Sequence, residues 1–309
     1  MPADPARLPR ALAEEEWRPL ATAHADLVDG WTRGHRERSA AGEAHPVEDF
    51  LFTYYSFRPA QLRRWHPGAG TALLGDSARE RLTWRHYDVV EALDGDGHVV
   101  KAIGLDADSW LAARSGALEH VVRLLEATAG RPARFGCFGL HEWAMVYRLD
   151  QDDVRHSAWP LRLGTAGTNA VVEASTIRCS HFDAFRFFTD EARPRNTLQP
   201  SRESQVQLEQ PGCLHAAMDL YKWAYKLTPA VPSSLVADAF ALAREVRVLD
   251  MRASPYDLSA LGYEPVRIET PEGRAEYVRE QQSFAVRAQD LRERLLEALR
   301  PLRTQPNGW

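Results

Sequence analysis

The chain has 309 residues, 44% hydrophobic and 26% charged, with 38 Lys and Arg against 43 Asp and Glu for a formal charge of -5. Those proportions exclude a fibrous or disordered chain, and nine Trp, nine Tyr and eleven Phe supply enough apolar surface for a sizeable core. The acidic balance argues against a surface that is basic throughout, so any contact with nucleic acid has to rely on a local basic patch.

Over 16–38, Trp17, Leu20, Leu27, Val28 and Trp31 recur near a 3.6-residue spacing with charges between them, which predicts an amphipathic helix with His24 on the same stripe. The aromatic segment 45–55 opens with Pro46 at a plausible first helical position and is expected to be buried. A further turn or two of helix is predicted over 58–65, stopped by His66-Pro67-Gly68. Strands are predicted at 82–87 and 98–103, with a hairpin over Asp94-Gly95-Asp96-Gly97. A long helix follows over 109–127. Two β-rich pieces are expected at 142–149 and 170–179, and helices at 215–227, 233–249 and 273–302. The pattern predicts one α+β domain over 1–309, with a mixed or antiparallel central sheet. Its parts are a helical N-terminal segment 1–70, a sheet-rich 80–190 and a helical C-terminal 211–303.

Cys137, Cys179 and Cys213 are odd in number and widely spaced, which fits neither a disulfide framework nor a thiolate zinc site and leads to the expectation of a reduced, cytoplasmic compartment. The run Glu14-Glu15-Glu16 stands where a signal peptide would be basic, and no eighteen-residue window is apolar and uncharged. No membrane association is expected.

Chemistry concentrates in four segments. On the predicted helix 213–227, His215, Asp219, Lys222 and Lys226 fall on one stripe while the remaining residues are apolar, aromatic or Cys. A solvent-facing seam explains the two lysines equally well, and a structural His-Asp pair explains the rest. A carboxylate one turn from an imidazole also orients it and raises its basicity. At 181–185, read as a strand end, His181, Asp183 and Phe185 share one face, and His181 and Asp183 together with His215 match a two-histidine, one-carboxylate site for iron, manganese or zinc. Adjacent His141 and Glu142 point to opposite faces of a strand, so at most one of them joins a given site; His156 is a further possible ligand. Asp250, Arg252, Tyr256 and Asp257 concentrate hydrogen-bonding groups where a helix passes into a loop, as a binding site or as a structural clasp. In 193–203, Arg193, Arg195 and Arg202 beside Asn196 and Gln199 suit a phosphate or carboxylate, or a solvated loop. Dinucleotide, P-loop, hydrolase-elbow and zincin signatures are all missing.

The segments His45-Pro46-Val47-Glu48-Asp49-Phe50-Leu51-Phe52-Thr53-Tyr54-Tyr55, Arg58-Pro59-Ala60-Gln61-Leu62-Arg63-Arg64-Trp65-His66-Pro67-Gly68, Gln210-Pro211-Gly212-Cys213-Leu214-His215 and Asp250-Met251-Arg252-Ala253-Ser254-Pro255-Tyr256-Asp257 together resemble an actinobacterial family labelled 3-methyladenine DNA glycosylase. The resemblance spans most of the chain, without the helix-hairpin-helix of many alkylbase glycosylases. It implies hydrolysis of the bond between an alkylated purine and deoxyribose in DNA, which needs an unstacked base, an aromatic pocket and a carboxylate that steadies an oxocarbenium-like sugar. Asp183 or Asp219 would supply the carboxylate, with His215 and Lys222 as further catalytic groups and Trp223, Tyr221 or Phe185 as stacking surfaces. Arg195, Arg202, Arg252 and Tyr256 complete the expected substrate contacts. The alternative is a metal-dependent, non-haem-iron type of enzyme acting on a small molecule through His181, Asp183 and His215. A non-catalytic binding protein is disfavoured, because polar groups inside apolar elements cost free energy without a purpose.

Overall fold

The C-terminal helices form where apolar periodicity places them. In the computed structural model, which describes residues 8–303, the helices Leu214–Lys226, Ser233–Arg252 and Pro271–Arg303 pack on one another and on the long helix Ala107–Ala129. Numbered in chain order, the strands are β1 (Arg10–Leu12), β2 (Thr71–Leu73), β3 (Tyr87–Leu93) and β4 (Val99–Leu105). The helices are α1 (Glu14–Ala41), α2 (Phe50–Tyr54), α3 (Pro59–Leu62), α4 (Ala107–Ala129), α5 (Leu140–Ala144), α6 (Gly164–Glu173), α7 (Phe182–Phe185), α8 (Gln205–Leu208), α9 (Leu214–Lys226), α10 (Ser233–Arg252) and α11 (Pro271–Arg303). The chain is therefore α+β, with a mixed sheet and helices on both sides of it in sequence.

The main core is helical. Trp110 of α4, Trp143 of α5, Tyr221 of α9, Phe240 of α10 and Tyr277 of α11 are fully buried in one cluster. Helix α9 sits at its centre: every residue from Leu214 to Tyr221 is buried. Its start is held by Gln210, whose Oε1 accepts from the backbone N–H of Arg134 and of Gly212. Gly212 has to be glycine because a Cβ there would lie 2.5 Å from the Arg134 carbonyl oxygen.

Helix α1 begins with Glu14, Glu15 and Glu16 in its first turn, where the helix dipole favours anions, and Glu16 accepts from the Ala13 N–H. It stops at Gly42 in the left-handed conformation. Its buried side carries Trp17, His24, Val28 and Thr32, whereas Leu20 and Leu27 of the expected stripe are 52% and 45% exposed. His24 bonds through Nε2 to the Leu62 carbonyl and so ties α1 to α3.

The four strands close in the order β1-β2-β4-β3, with β1 parallel to β2 and β3 and β4 antiparallel to β2 and β3. So tight a closure admits only small interior side chains: Ala11, Ala72, Ala92 and Ala102 form its buried cluster, and a Cβ on Gly104 would meet Val90 at 2.8 Å. The expected hairpin is present, with Asp94 accepting from the N–H groups of Asp96 and His98. The outer face packs Leu73, Tyr87 and Ile103 against Trp17.

Three expected strands are absent. Residues 76–83 form a 3-10 helix and the strand starts only at Tyr87. Residues 142–149 and 170–179 hold α5, α6 and turns, so strand in the expected sheet-rich stretch is confined to Tyr87–Leu93 and Val99–Leu105. The cause is burial on every side: Leu140, His141, Glu142, Trp143 and Ala144 are all buried, which removes the polar side that separates helix from strand. Val172 and Ile177, β-formers by propensity, reach the helical core from α6 and the loop after it, an override by tertiary packing.

Arg81 joins the sheet to α1. Only 5% exposed, its guanidinium carbon lies 4.5, 5.1 and 5.7 Å from the ring centres of Trp17, Trp84 and Trp65. Arg81→Lys keeps the charge but loses the planar stacking, so unfolding in urea is expected at a stability lower by about 1 to 3 kcal/mol. A change below about 0.5 kcal/mol, the range of an ordinary surface substitution, would show that the stacking contributes little.

Candidate functional site

An apolar helix with a polar stripe has to bury that stripe against partners or leave it in water, and α9 buries it. His215 and Asp219 are 8% and 1% exposed. Five segments far apart in sequence bring polar groups to meet them: the end of α2, α5, the extended segment leading into α7, the residues before α9, and α10.

One network surrounds Asp219. Its Oδ1 accepts from the Tyr55 hydroxyl at 2.6 Å and its Oδ2 from Lys222 Nζ at 2.9 Å. Lys222 also donates to Asp183 Oδ2 at 2.8 Å, and Asp183 pairs with Arg186 at 3.4 Å. His181 Nε2 stands 3.4 Å from Asp219 and 3.7 Å from Glu209, in ion-pair range but outside hydrogen-bond geometry. Burial opposes the charge on Asp219, yet Lys222, His181 and Tyr55 outweigh it and hold the carboxyl far below its ordinary range. Burial likewise opposes the charge on Lys222, which Asp219 and Asp183 nevertheless hold protonated. At Glu209 burial outweighs the neighbouring His181 and pushes the pKa up.

A second network lies between α5 and α10. His141 Nε2 and Asp250 Oδ1 are 2.8 Å apart, and Arg247 Nη1 donates to Asp250 at 3.1 Å and to Glu142 at 3.2 Å. Burial and the neighbouring Asp250 raise Glu142. Burial opposes protonation of His141, but Asp250 raises its pKa overall.

His215 joins the two. Its ring centre lies 4.5 Å from that of His141, edge on, and 5.3 Å from that of His181, stacked. Burial and the adjacent His141 push the His215 pKa down to about 3, so it is a neutral imidazole with a free lone pair. Among the described residues nothing hydrogen-bonds to the His215 ring, and both ring nitrogens of the 1% exposed His181 are unpaired. Ligand atoms of His141, His215 and Asp250 all lie within 4.8 Å of one another. A cavity of about 20 Å³ lies on each side of His215, one lined by Cys137, Ser180 and Cys213, the other by Glu142, Asp183 and Arg247. The first shares Cys137, Arg178, Ser180 and Gln210 with an outer cavity of about 250 Å³.

The structure sorts the expected residues into three groups. Asp183, Asp219 and Lys222 form one ion network, with His215 one ring away. Asp183, Lys222, Trp223 and Arg202 line a larger cavity of about 710 Å³. Arg195, Arg252 and Tyr256 lie elsewhere: Arg195 rests on Tyr147, Arg252 binds the Glu264 carbonyl and Glu276, and Tyr256 packs with Val146, Leu161 and Met251. The loop arginines diverge, with Arg193 turned to Asp190 and Arg202 to Phe182, so they do not form one anion site. The donors of His181, Asp183 and His215 are not gathered as a set, because Lys222 and Arg186 hold Asp183; the gathered set is His141, His215 and Asp250. His141 and Glu142 both face the buried cluster, which a strand would forbid and a helical turn allows. Tyr55 and Glu209 carry no sequence signal; their roles come only from position.

Compared with known proteins, the chain matches no family model, no curated protein and no solved structure. The chemistry is read from the geometry.

Asp219→Asn keeps the shape and removes the charge, leaving Lys222 with Asp183 alone and His181 without its carboxylate. A loss of about 2 to 4 kcal/mol is expected at pH 7, since breaking a buried pair strands the partner charge. The folded pKa of Asp219 lies below its ordinary 3.8, so its contribution is present above pH 3.8 and is lost as the pH falls further. Urea melts of both proteins should therefore differ most at pH 7, and the gap should narrow by about 1 kcal/mol at pH 3. A gap that persists unchanged at pH 3 would assign the loss to packing and not to charge.

Proposed function

We propose that this chain is a metal-dependent enzyme acting on a small molecule, with a divalent ion held by His141, His215 and Asp250. The observation that carries this reading is the convergence of two imidazoles and a carboxylate within 4.8 Å, one imidazole neutral and without any hydrogen bond. A neutral ring nitrogen that makes no hydrogen bond is free to take a ligand. Two nitrogens and one oxygen suit iron, manganese or zinc and leave coordination positions open. The second oxygen of Asp250 is held by Arg247, and Arg247 by Glu142, which is the outer support that metal-binding carboxylates need.

When bound, the ion supplies a Lewis acid or a metal-activated water. The chain's own groups do the rest. Arg178, Ser180 and Gln210 line the approach from the outer cavity. Asp219 and Asp183 hold Lys222 protonated and Asp219 favours the charged form of His181, so fixed charges border the site. No helix among the described residues is long and apolar enough to cross a membrane.

A second reading is supported by a different observation. Asp183, Lys222 and Trp223 line one cavity, a carboxylate, a cation and an aromatic of the kind that hydrolysis of an alkylated purine's N-glycosidic bond requires. Its volume of about 710 Å³ lies in the range of small-molecule sites.

Metal content separates the two. Protein purified without chelator is expected to carry about one equivalent of iron, manganese or zinc per chain by elemental analysis. His215→Gln removes a ring that makes no hydrogen bond, so it should fold and lose the metal. Base release from alkylated DNA, measured with and without EDTA, completes the comparison. Metal-free protein that releases base would overturn the metal reading, and stoichiometric metal without base release would overturn the glycosylase one.

A further inference from the structure

Towards the C-terminal end of α9, the cavity of about 710 Å³ collects positive charge in a chain whose net charge is -5. His120 and Arg123 of α4, Arg202, and Lys222 and Lys226 of α9 line it, with Asp183 and Glu203 as its carboxylates. Lys222 is neutralised by Asp183 and Asp219. Arg123, Arg202 and Lys226 are not: among the described residues none is within ion-pair distance of a carboxylate. Lys226 lies 5.3 Å from the Trp223 ring centre and Arg202 lies 5.9 Å from that of Phe182, so both cations are held over aromatic faces at the wall. Trp223 is 7% exposed, lines the same cavity, and its indole N–H has no acceptor.

Like charges gathered around a partly enclosed volume repel one another and focus a positive field into it, a cost that an anion entering the volume reverses. The field is visible in His120. Burial is the main reason its pKa is lowered, and Arg123, Lys222, Lys226 and Arg202 each lower it further. Three cations outside any ion pair, against the Glu203 carboxylate in the same wall, leave a positive excess, and two of them are guanidinium forks, which match phosphate oxygens.

We propose that this cavity is a binding site for a phosphate-bearing ligand, seated between Lys226, Arg123 and Arg202 and next to Lys222. The site does not depend on the metal at His141, His215 and Asp250. It does adjoin the buried centre, because Lys222 in its wall is hydrogen-bonded to Asp219, the partner of His181.

Calorimetric titration with inorganic pyrophosphate, and in parallel with a short DNA duplex, tests it. One pyrophosphate per chain is expected, with affinity at least tenfold weaker when Lys226→Ala and Arg202→Ala are combined; both side chains are exposed, so the variant should fold. Arg134→Ala, in the other cavity, should leave the affinity unchanged, and so should His215→Gln, which separates this site from the metal reading. Pyrophosphate binding without duplex binding assigns the phosphate to a small molecule; duplex binding that pyrophosphate displaces assigns it to a nucleic acid backbone. Failure to bind either probe at millimolar concentration, or binding indifferent to the Lys226 and Arg202 pair, would overturn the proposal.

Discussion

A carboxylate 1% exposed in the middle of an apolar helix stays charged only if its surroundings replace water, and the arrangement around Asp219 does so. Tyr55 and Lys222 donate to its two oxygens, and His181 stands within 3.4 Å. Those contacts dictate where other elements lie. Tyr55 fixes the end of α2 against α9, His181 fixes the extended segment before α7, and Asp183 closes the pair with Lys222. The aromatic layer of Tyr55, Phe57, Tyr221 and Tyr225 then packs around the same point.

The second buried network solves the same problem differently. Around Asp250 the compensating groups are an arginine and a histidine, and Arg247 serves two carboxylates, with its guanidinium 3.8 Å from the Phe50 ring centre. Two ion networks thus flank His215, and neither hydrogen-bonds to it. His215 belongs to no hydrogen bond among the described residues and touches both sides through ring contacts alone. A structural core histidine normally finds a partner, as His24 does with the Leu62 carbonyl. The contrast between these two buried histidines is the basis of the proposed ligand role of His215.

The small closed sheet has a different part. Its alanine interior and its Trp17, Trp65 and Trp84 exterior form apolar clusters separate from the helical core, linked to it through α1. The residues of the buried cluster all come from the helical part, so the sheet contributes to the position of α1 and α3 and supplies none of the chemistry.

Much was legible in the order of residues alone. A helix buried on one side repeats its apolar residues every 3.6 positions, so α1, α4, α9, α10 and α11 could be placed within a few residues, and the hairpin followed from Asp94-Gly95-Asp96-Gly97. The polar stripe of α9, with His215, Asp219 and Lys222, is a property of that one helix and was equally visible. Where an element is buried on all sides the period vanishes, which is why α5 reads as a strand with His141 and Glu142 on opposite faces, whereas α6 reads as one through the β-propensity of its Val residues. The ligand set could not be read locally for a further reason. Tyr55 is 164 residues from Asp219 and His141 is 109 from Asp250. No spacing rule links segments that far apart, so which carboxylate meets which imidazole was decided only when the helices packed and each buried charge took the nearest group able to compensate it.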